Sequence, residues 1–365
     1  MVLKRPSWPL GQVVTLEHVS RVLVDNPLGD PHIRQLHVWL PPQYLAGAAH
    51  RRFPVLFDLA GYFSSGPAHL AWRGFEENVV ERVARLLHAR RMKPAILVFP
   101  DCFTALGGNQ YINSPAIGRY ADYLRRELVP FVDREFRSIA SRDGRGCFGK
   151  SSGGYGAMVH AMKYPDCWGA IANHSGDAYF DFLYRSDWPN TLDELARFRE
   201  PARQAGQWSL PQAHTAVESG IDDGRVRRFL EHVWRNDRLT SAESMCLMNL
   251  AMAASYDPDP RVPNGFRLPF DLETGVLLPE RWKRWLAHDP IHMVARHAAK
   301  LKTLRGLLID CGWRDQYHIH YGCRQLSGTL ARHGVKHSYE EFDGTHSGID
   351  HRLERSLPFL SRVLG

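Results

Sequence analysis

Gly146-Cys147-Phe148-Gly149-Lys150-Ser151-Ser152-Gly153 is the stretch whose reading decides the fold. Its last five residues have the form G-x-S-x-G, a sharp turn from strand to helix that lifts a serine hydroxyl above the end of a parallel sheet. The residues before it are short and apolar, as a buried strand end should be. Those after it, with Ala157, Met158, His160, Ala161 and Met162, suit a helix packed behind the turn. The two glycines answer a steric need, because helix and strand backbones approach too closely there for a Cβ. Two serines are adjacent, so the register has to be argued. With Ser151 at the tip, Gly149 and Gly153 take the two crowded flanks. With Ser152 at the tip, Lys150 would occupy one of them, and its side chain does not suit it. Ser151 is therefore the expected nucleophile.

Working outward, the N-terminal part alternates strand-like and helix-like segments. Val13 to Val24 and His32 to Leu40 read as a hairpin around Asn26-Pro27-Leu28-Gly29-Asp30. Pro54 to Leu59 is a short buried strand. Glu76 to His88 shows helical periodicity through Val79, Val80, Val83, Leu86 and Leu87. Pro94 to Phe99 is the next strand, and Tyr120 to Phe136 a second amphipathic helix. Ala170 to Ser175 is a strand beyond the elbow helix. Strands separated by helices imply an α/β fold with a mostly parallel central sheet covered on both faces. From Tyr179 to Leu301 the strand rhythm stops, and Trp, Pro, Arg and helix formers dominate. The rhythm resumes at Leu304 to Cys311, followed by a helix from Tyr321 to His333, a strand Ser338 to Phe342 and a C-terminal helix. The expected organisation is a core in two parts, 1–178 and 302–365, with a helical cap or insertion at 179–301.

Composition restricts the function. The chain has 365 residues, 44% hydrophobic and 23% charged, within the range of globular proteins. Its net charge of +7 is spread along the chain, which argues against nucleic-acid binding. The clusters Arg225, Arg227, Arg228 and Arg281, Lys283, Arg284 read as solvated helix faces. No apolar stretch of about 18 residues is present, so no membrane span is expected. Met1 to Leu10 carry Lys4 and Arg5 without a following apolar region, so a cytoplasmic location is expected. The six cysteines (Cys102, Cys147, Cys167, Cys246, Cys311, Cys323) form no C-x-x-C pair and read as reduced, buried small hydrophobes.

A serine hydroxyl needs an imidazole base, itself oriented by a carboxylate. On a sheet topped by such an elbow, the acid and then the histidine follow the serine in chain order, each past the end of a strand. After Leu304–Cys311 comes Gly312-Trp313-Arg314-Asp315, and after Ser338–Phe342 comes Asp343-Gly344-Thr345-His346. Asp315 and His346 are the expected partners. Asp177, after the strand Ala170–Ser175, is the rival acid, and chain position favours Asp315. Asp310 lies inside a strand and is expected to bond locally. His318-x-His320 has metal-like spacing but no third ligand, so no metal and no cofactor are expected. The oxyanion donors are expected from the backbone N–H of Ser152 and of Tyr62, the latter in the loop after Pro54–Leu59. Asn109, Gln110 and Tyr111, in a glycine-rich loop, are candidates to hold a polar group of the substrate.

These residues resemble the α/β-hydrolase family of esterases that includes esterase D (S-formylglutathione hydrolase), enterochelin-esterase-like proteins and mycolyltransferases. The resemblance rests on Pro54-Val55-Leu56-Phe57 to Gly61, Val98-Phe99-Pro100-Asp101, Gly149 to Gly154, Ile309 to Tyr317 and Asp343 to Gly348. It implies an α/β-hydrolase fold and a Ser151–Asp315–His346 triad with the backbone donors of Tyr62 and Ser152. Many relatives carry His-Gly where this chain has Ala60-Gly61, and compact relatives lack the long 179–301 insertion. The expected activity is that of a serine carboxylesterase cleaving an ester or thioester through an acyl-enzyme. Acyl transfer with the same triad is the alternative, and a non-catalytic binding protein on a hydrolase scaffold is the alternative from another class. The expected partner is a small-molecule ester substrate, with no nucleic acid and no membrane; formation of a homo-oligomer is left open. Trp188, Trp208, Trp234, Trp282 and Trp285 in the insertion suit an apolar or aromatic substrate, but a core role is the more usual one for tryptophan.

Overall fold

The computed structural model describes residues 7–199 and 222–365. Eight strands form one sheet: β1 (Gln12–Val19), β2 (Ile33–Leu40), β3 (Val55–Leu59), β4 (Ile96–Phe99), β5 (Arg145–Lys150), β6 (Ala170–His174), β7 (Gly306–Gly312) and β8 (Ser338–Phe342). Their spatial order is β1-β2-β4-β3-β5-β6-β7-β8. The β1–β2 and β2–β4 pairings are antiparallel, and all the others are parallel. This is the α/β-hydrolase fold. The expected hairpin forms as β1 and β2. Between its strands Asn26 Oδ1 accepts from the N–H groups of Leu28 and Asp30, which is why that turn closes where it does.

The central strands read as continuous apolar runs because both faces of the sheet are covered. Val55, Phe57, Leu59, Cys147, Ile171, Leu307 and Ile309 point to one side and pack with helices α2 (Ser152–Lys163), α7 (Pro290–Leu301) and α8 (Ile319–Arg332). The alternate residues Leu56, Leu97, Phe148, Ala172 and Leu308 point to the other side, against α1 (Val79–His88) and α9 (Leu353–Leu364). Helix α1 starts later than the periodicity suggested. Asn78 accepts from the N–H of Glu81 while Glu81 reaches back to Asn78, a reciprocal cap that fixes the first turn. The helical segment expected at Tyr120–Phe136 widens into a π turn at Tyr123–Leu128, just before Pro130, which has no N–H to offer position 126.

Between β6 and β7 the described residues form helices: α3 (Trp188–Ala196), α4 (Arg225–Arg235), α5 (Ser241–Tyr256), α6 (Pro279–Leu286) and α7. Helix α7 lies against α2 and α8 on the face of the sheet, as a crossover helix does. Trp188, Trp282 and Trp285 are buried in the core with Phe270 and Tyr184, whereas Trp234 is exposed; Trp208 lies outside the described residues. All six cysteines are free and buried. No helix of the described residues is long and apolar enough to cross a membrane.

A buried histidine makes the core sensitive to acid. His160 on α2 is fully buried, donates from Nε2 to the carbonyl of Tyr111 (2.8 Å) and accepts at Nδ1 from the indole N–H of Trp168 (3.1 Å). A second ring proton would face that indole N–H. Burial lowers the imidazole from 6.5 to about 4, and the Tyr111 carbonyl only partly offsets this. The unfolded chain therefore takes up this proton below pH 6.5 and the native protein does not. Stability conferred by neutral His160 is complete above pH 6.5 and falls as the pH drops towards 4, by about 3 kcal/mol in all. Urea unfolding at pH 7 and 4.5 should show this loss. A His160→Gln variant should flatten the pH dependence; an unchanged slope would place the acid sensitivity elsewhere.

Candidate active site

β5 ends at Lys150 and α2 begins at Ser152, so Ser151 alone makes the turn, at φ 58° and ψ −126°. This is a conformation that L-residues rarely adopt, and surrounding structure must impose it. The N–H of Ser151 donates to the carbonyl of His174 on β6 (3.0 Å), and its carbonyl accepts from Tyr155 (2.9 Å). A Cβ at Gly153 would lie 1.8 Å from the Leu59 carbonyl oxygen, so helix α2 can reach β3 only with glycine there.

His346 lies in the loop after β8 and Asp315 in the loop after β7. His346 Nδ1–H donates to Asp315 Oδ2 at 2.8 Å, and both side chains are buried. The other carboxylate oxygen accepts from the N–H of Tyr317 (2.9 Å). Gln316 Oε1 accepts from the N–H of His346 (2.9 Å), and the Tyr317 ring stands edge-on to the imidazole. The two loops are joined by Trp313 N–H to Phe342 O and Arg314 N–H to Gly344 O, each at 3.0 Å. They cross so closely at Gly312 that a Cβ would lie 2.4 Å from the Gly344 carbonyl oxygen. With Nδ1 committed to the carboxylate, Nε2 is the basic nitrogen.

Ser151 and His346 both line two adjoining cavities. One, of about 290 Å³, also has Gly61, Tyr62, Phe63, Tyr317 and several charged residues in its wall. The other is tight, about 50 Å³, and is bounded by Tyr62, Ser152, Asp177, Leu183, Met248 and Ile319. Gly61 hangs over the elbow: a Cβ there would be 3.6 Å from that of Ser151. Tyr62 follows it, and Ser152 is the first residue of α2, where N–H groups have no partner within the helix.

Asp177, the rival acid, turns to other partners. Its Oδ2 accepts from Tyr184 Oη–H (2.8 Å) and Gln110 Nε2–H (3.2 Å). Burial pushes its carboxyl above the usual range, against these hydrogen bonds and the nearby His346. Asp310 bonds locally, to His174 Nδ1 (2.6 Å) and Arg352 (2.9 Å). The loop residues face inward. Asn109 Oδ1 accepts from the N–H of Tyr111, Gln110 Nε2–H donates to Ser152 Oγ (2.8 Å), and Tyr111 Oη–H donates to Ala60 O (2.7 Å). None of the three lines either cavity; Gln110 ties this loop to the elbow helix, Tyr111 ties it to Ala60, and Asn109 bonds within the loop itself. His318 occupies the N-cap position of α8 without a side-chain capping bond, the His320 ring lies tilted against that of Tyr321, and no group of metal-binding side chains occurs among the described residues. Sequence reasoning missed the charged wall formed by Asp58, His69, Arg73, Lys150 and Asp350. Only Lys150 drew attention there, and only for the register of the elbow.

The family model described as "Putative esterase" matches residues 31–354, nearly the whole described core. The chain belongs to this Esterase family. Among relatives, "Esterase Rv1288" and "Esterase MT1326" of Mycobacterium tuberculosis strains are each 31% identical over 166 residues. The match takes in 42% of this chain and 32% of those proteins, so the chain spans about a third of the length of these curated relatives. Among solved structures, a ferulic acid esterase superposes with a TM-score of 0.60 at 19% identity, covering 97% of this chain and 99% of that one. An S-formylglutathione hydrolase from Agrobacterium tumefaciens gives 0.52 at 16% identity, covering 97% and 96%. At such identities the likeness is one of fold.

Proposed function

We propose that this member of the Esterase family is a serine carboxylesterase working through an acyl-enzyme. The reading is carried by one observation: an imidazole held by a buried carboxylate through Nδ1 lines the same cavities as a serine on a strained elbow. In this mechanism His346 Nε2 takes the proton of Ser151 as its oxygen attacks the carbonyl carbon of the ester. The N–H groups of Tyr62 and Ser152 receive the oxyanion. The resulting imidazolium is stabilised by Asp315 and gives its proton to the departing alcohol. Water, activated by the same imidazole, then releases the acid. The tight, largely apolar cavity suits a short chain on one side of the ester bond, while the larger one admits a polar group and water. Six buried thiols without a disulfide suit a reducing compartment, consistent with a cytoplasmic location.

The test is a fluorophosphonate reaction followed by peptide mass spectrometry, alongside p-nitrophenyl esters of increasing chain length. An adduct on Ser151 and turnover that declines beyond short chains are expected. An adduct without turnover in water, rescued by an added alcohol, would replace hydrolysis by acyl transfer. No adduct would favour a binding protein.

A further inference from the structure

The larger cavity has a charge pattern that the hydrolytic chemistry does not use. Besides Ser151 and His346, its wall contains two carboxylates, Asp58 and Asp350, and three basic side chains, His69, Arg73 and Lys150. Four of these five are matched. His69 Nδ1 lies 2.8 Å from Asp58 Oδ2, and burial of the imidazole is outweighed by that carboxylate, so His69 is held above its ordinary value. Arg73 donates to Asp350 Oδ2 at 2.6 Å and to Glu76 at 3.1 Å.

Lys150 is the remaining one. It is the last residue of β5, adjacent to Ser151 in the chain, and half-buried. Its ammonium makes no hydrogen bond or ion pair among the described residues. Burial lowers its affinity for the proton, and the more distant Asp350 and Asp315 do not compensate. A cation drawn partly out of water without a counter-charge is costly, and a lysine serving solubility alone would extend into solvent. Asp58 is paired with His69, and Arg73 with Asp350 and Glu76, which leaves the Lys150 ammonium, at the residue before the nucleophile, as the wall's one cationic side chain with no hydrogen-bonded or ion-paired partner among the described residues.

We propose that the larger cavity recognises a substrate carrying a singly charged anionic group, a carboxylate, held by Lys150 Nζ while the short half of the ester occupies the tight cavity. This inference rests on the esterase reading and adds the substrate class. Lys150 acts as a specificity determinant through charge: it selects esters whose larger half bears a carboxylate a few ångströms from the scissile bond.

Two pairs of probes read this out. 4-Acetoxybenzoate against 4-acetoxybenzamide places the charge on the alcohol side. Monoethyl terephthalate against ethyl 4-carbamoylbenzoate places it on the acyl side. The wild-type protein is expected to favour the acid over the amide in one pair by at least tenfold in kcat/KM, mostly through KM. Lys150→Met should remove that preference and Lys150→Arg should retain part of it. Equal rates for acid and amide in both pairs would overturn the proposal, as would a preference that survives Lys150→Met. A readout independent of turnover separates this from failure of the esterase reading. Benzoate, but not benzamide, should raise the unfolding temperature of the wild-type protein and not of Lys150→Met. If Ser151 takes no fluorophosphonate and neither pair is cleaved, the esterase reading falls, whereas a benzoate shift dependent on Lys150 would still support the anion site. Absence of that shift would overturn it.

Discussion

Ser151→Ala should reduce kcat for a short-chain ester by roughly 10⁶-fold while leaving the fold intact. The loss is this large because serine and imidazole act as a unit, and without the oxygen no acyl-enzyme forms. The residual rate would come from whatever oxyanion stabilisation and substrate binding survive. Folding should survive because the hydroxyl makes no hydrogen bond among the described residues that holds the elbow. The turn is held instead by the backbone, Ser151 N–H to His174 O and Tyr155 N–H to Ser151 O. Alanine inherits the strain of φ 58°, whereas glycine does not. Ser151→Gly should accordingly be as inactive as Ser151→Ala yet more stable than it by about 1 kcal/mol. Initial rates with a p-nitrophenyl ester and thermal unfolding of both variants measure the two effects. Ordinary activity in Ser151→Ala would remove Ser151 from the mechanism. Equal stability of the two variants would mean that the elbow is not strained.

The second large effect is expected at the acid. Asp315→Asn should lower kcat by about 10⁴-fold. An amide can present its NH₂ to Nδ1, so that Nδ1 becomes the acceptor and Nε2 carries the proton, leaving no base for Ser151. Asp177→Asn should cost less than tenfold, because an amide oxygen still accepts from Tyr184 and Gln110 and the carboxylate is not bonded to His346. Both carboxylates are buried near the imidazole, so burial does not distinguish them; hydrogen bonding does. Measuring kcat for the two variants side by side decides the assignment. A larger loss in Asp177→Asn would transfer the orienting role to the strand next to the elbow.

The loop Asn109-Gln110-Tyr111 illustrates what a linear reading cannot reach. Its amides suggested contact with a polar substrate group, and none of the three side chains lines either cavity. Gln110 binds Ser152 Oγ and Asp177, and Tyr111 binds the Ala60 carbonyl just ahead of the loop that carries Tyr62. Inward and outward orientations of a glycine-rich loop share one composition, and only packing against α2 chooses between them. The tryptophans of the insertion went the way their size favours: aromatic residues serve a core more often than a pocket, and Trp188, Trp282 and Trp285 are buried.

Local chemistry was enough wherever a single backbone constraint dictates residue type. The elbow at Ser151 needs small neighbours at Gly149 and Gly153, strands buried on both faces need unbroken apolar runs, and loops past strand ends can supply Asp315 and His346; these are legible because each is a property of a few consecutive residues. What the chain alone could not specify were quantities that depend on distant segments meeting. The insertion of β4 between β2 and β3, the 2.8 Å bond between His346 and Asp315, and the matching of His69 with Asp58 and Arg73 with Asp350 all join residues far apart in sequence. Lys150 shows the difference most directly: its place beside Ser151 is written in the pentapeptide, but that it alone among the charged side chains of the wall has no paired partner among the described residues follows from where the sheet brings the carboxylates.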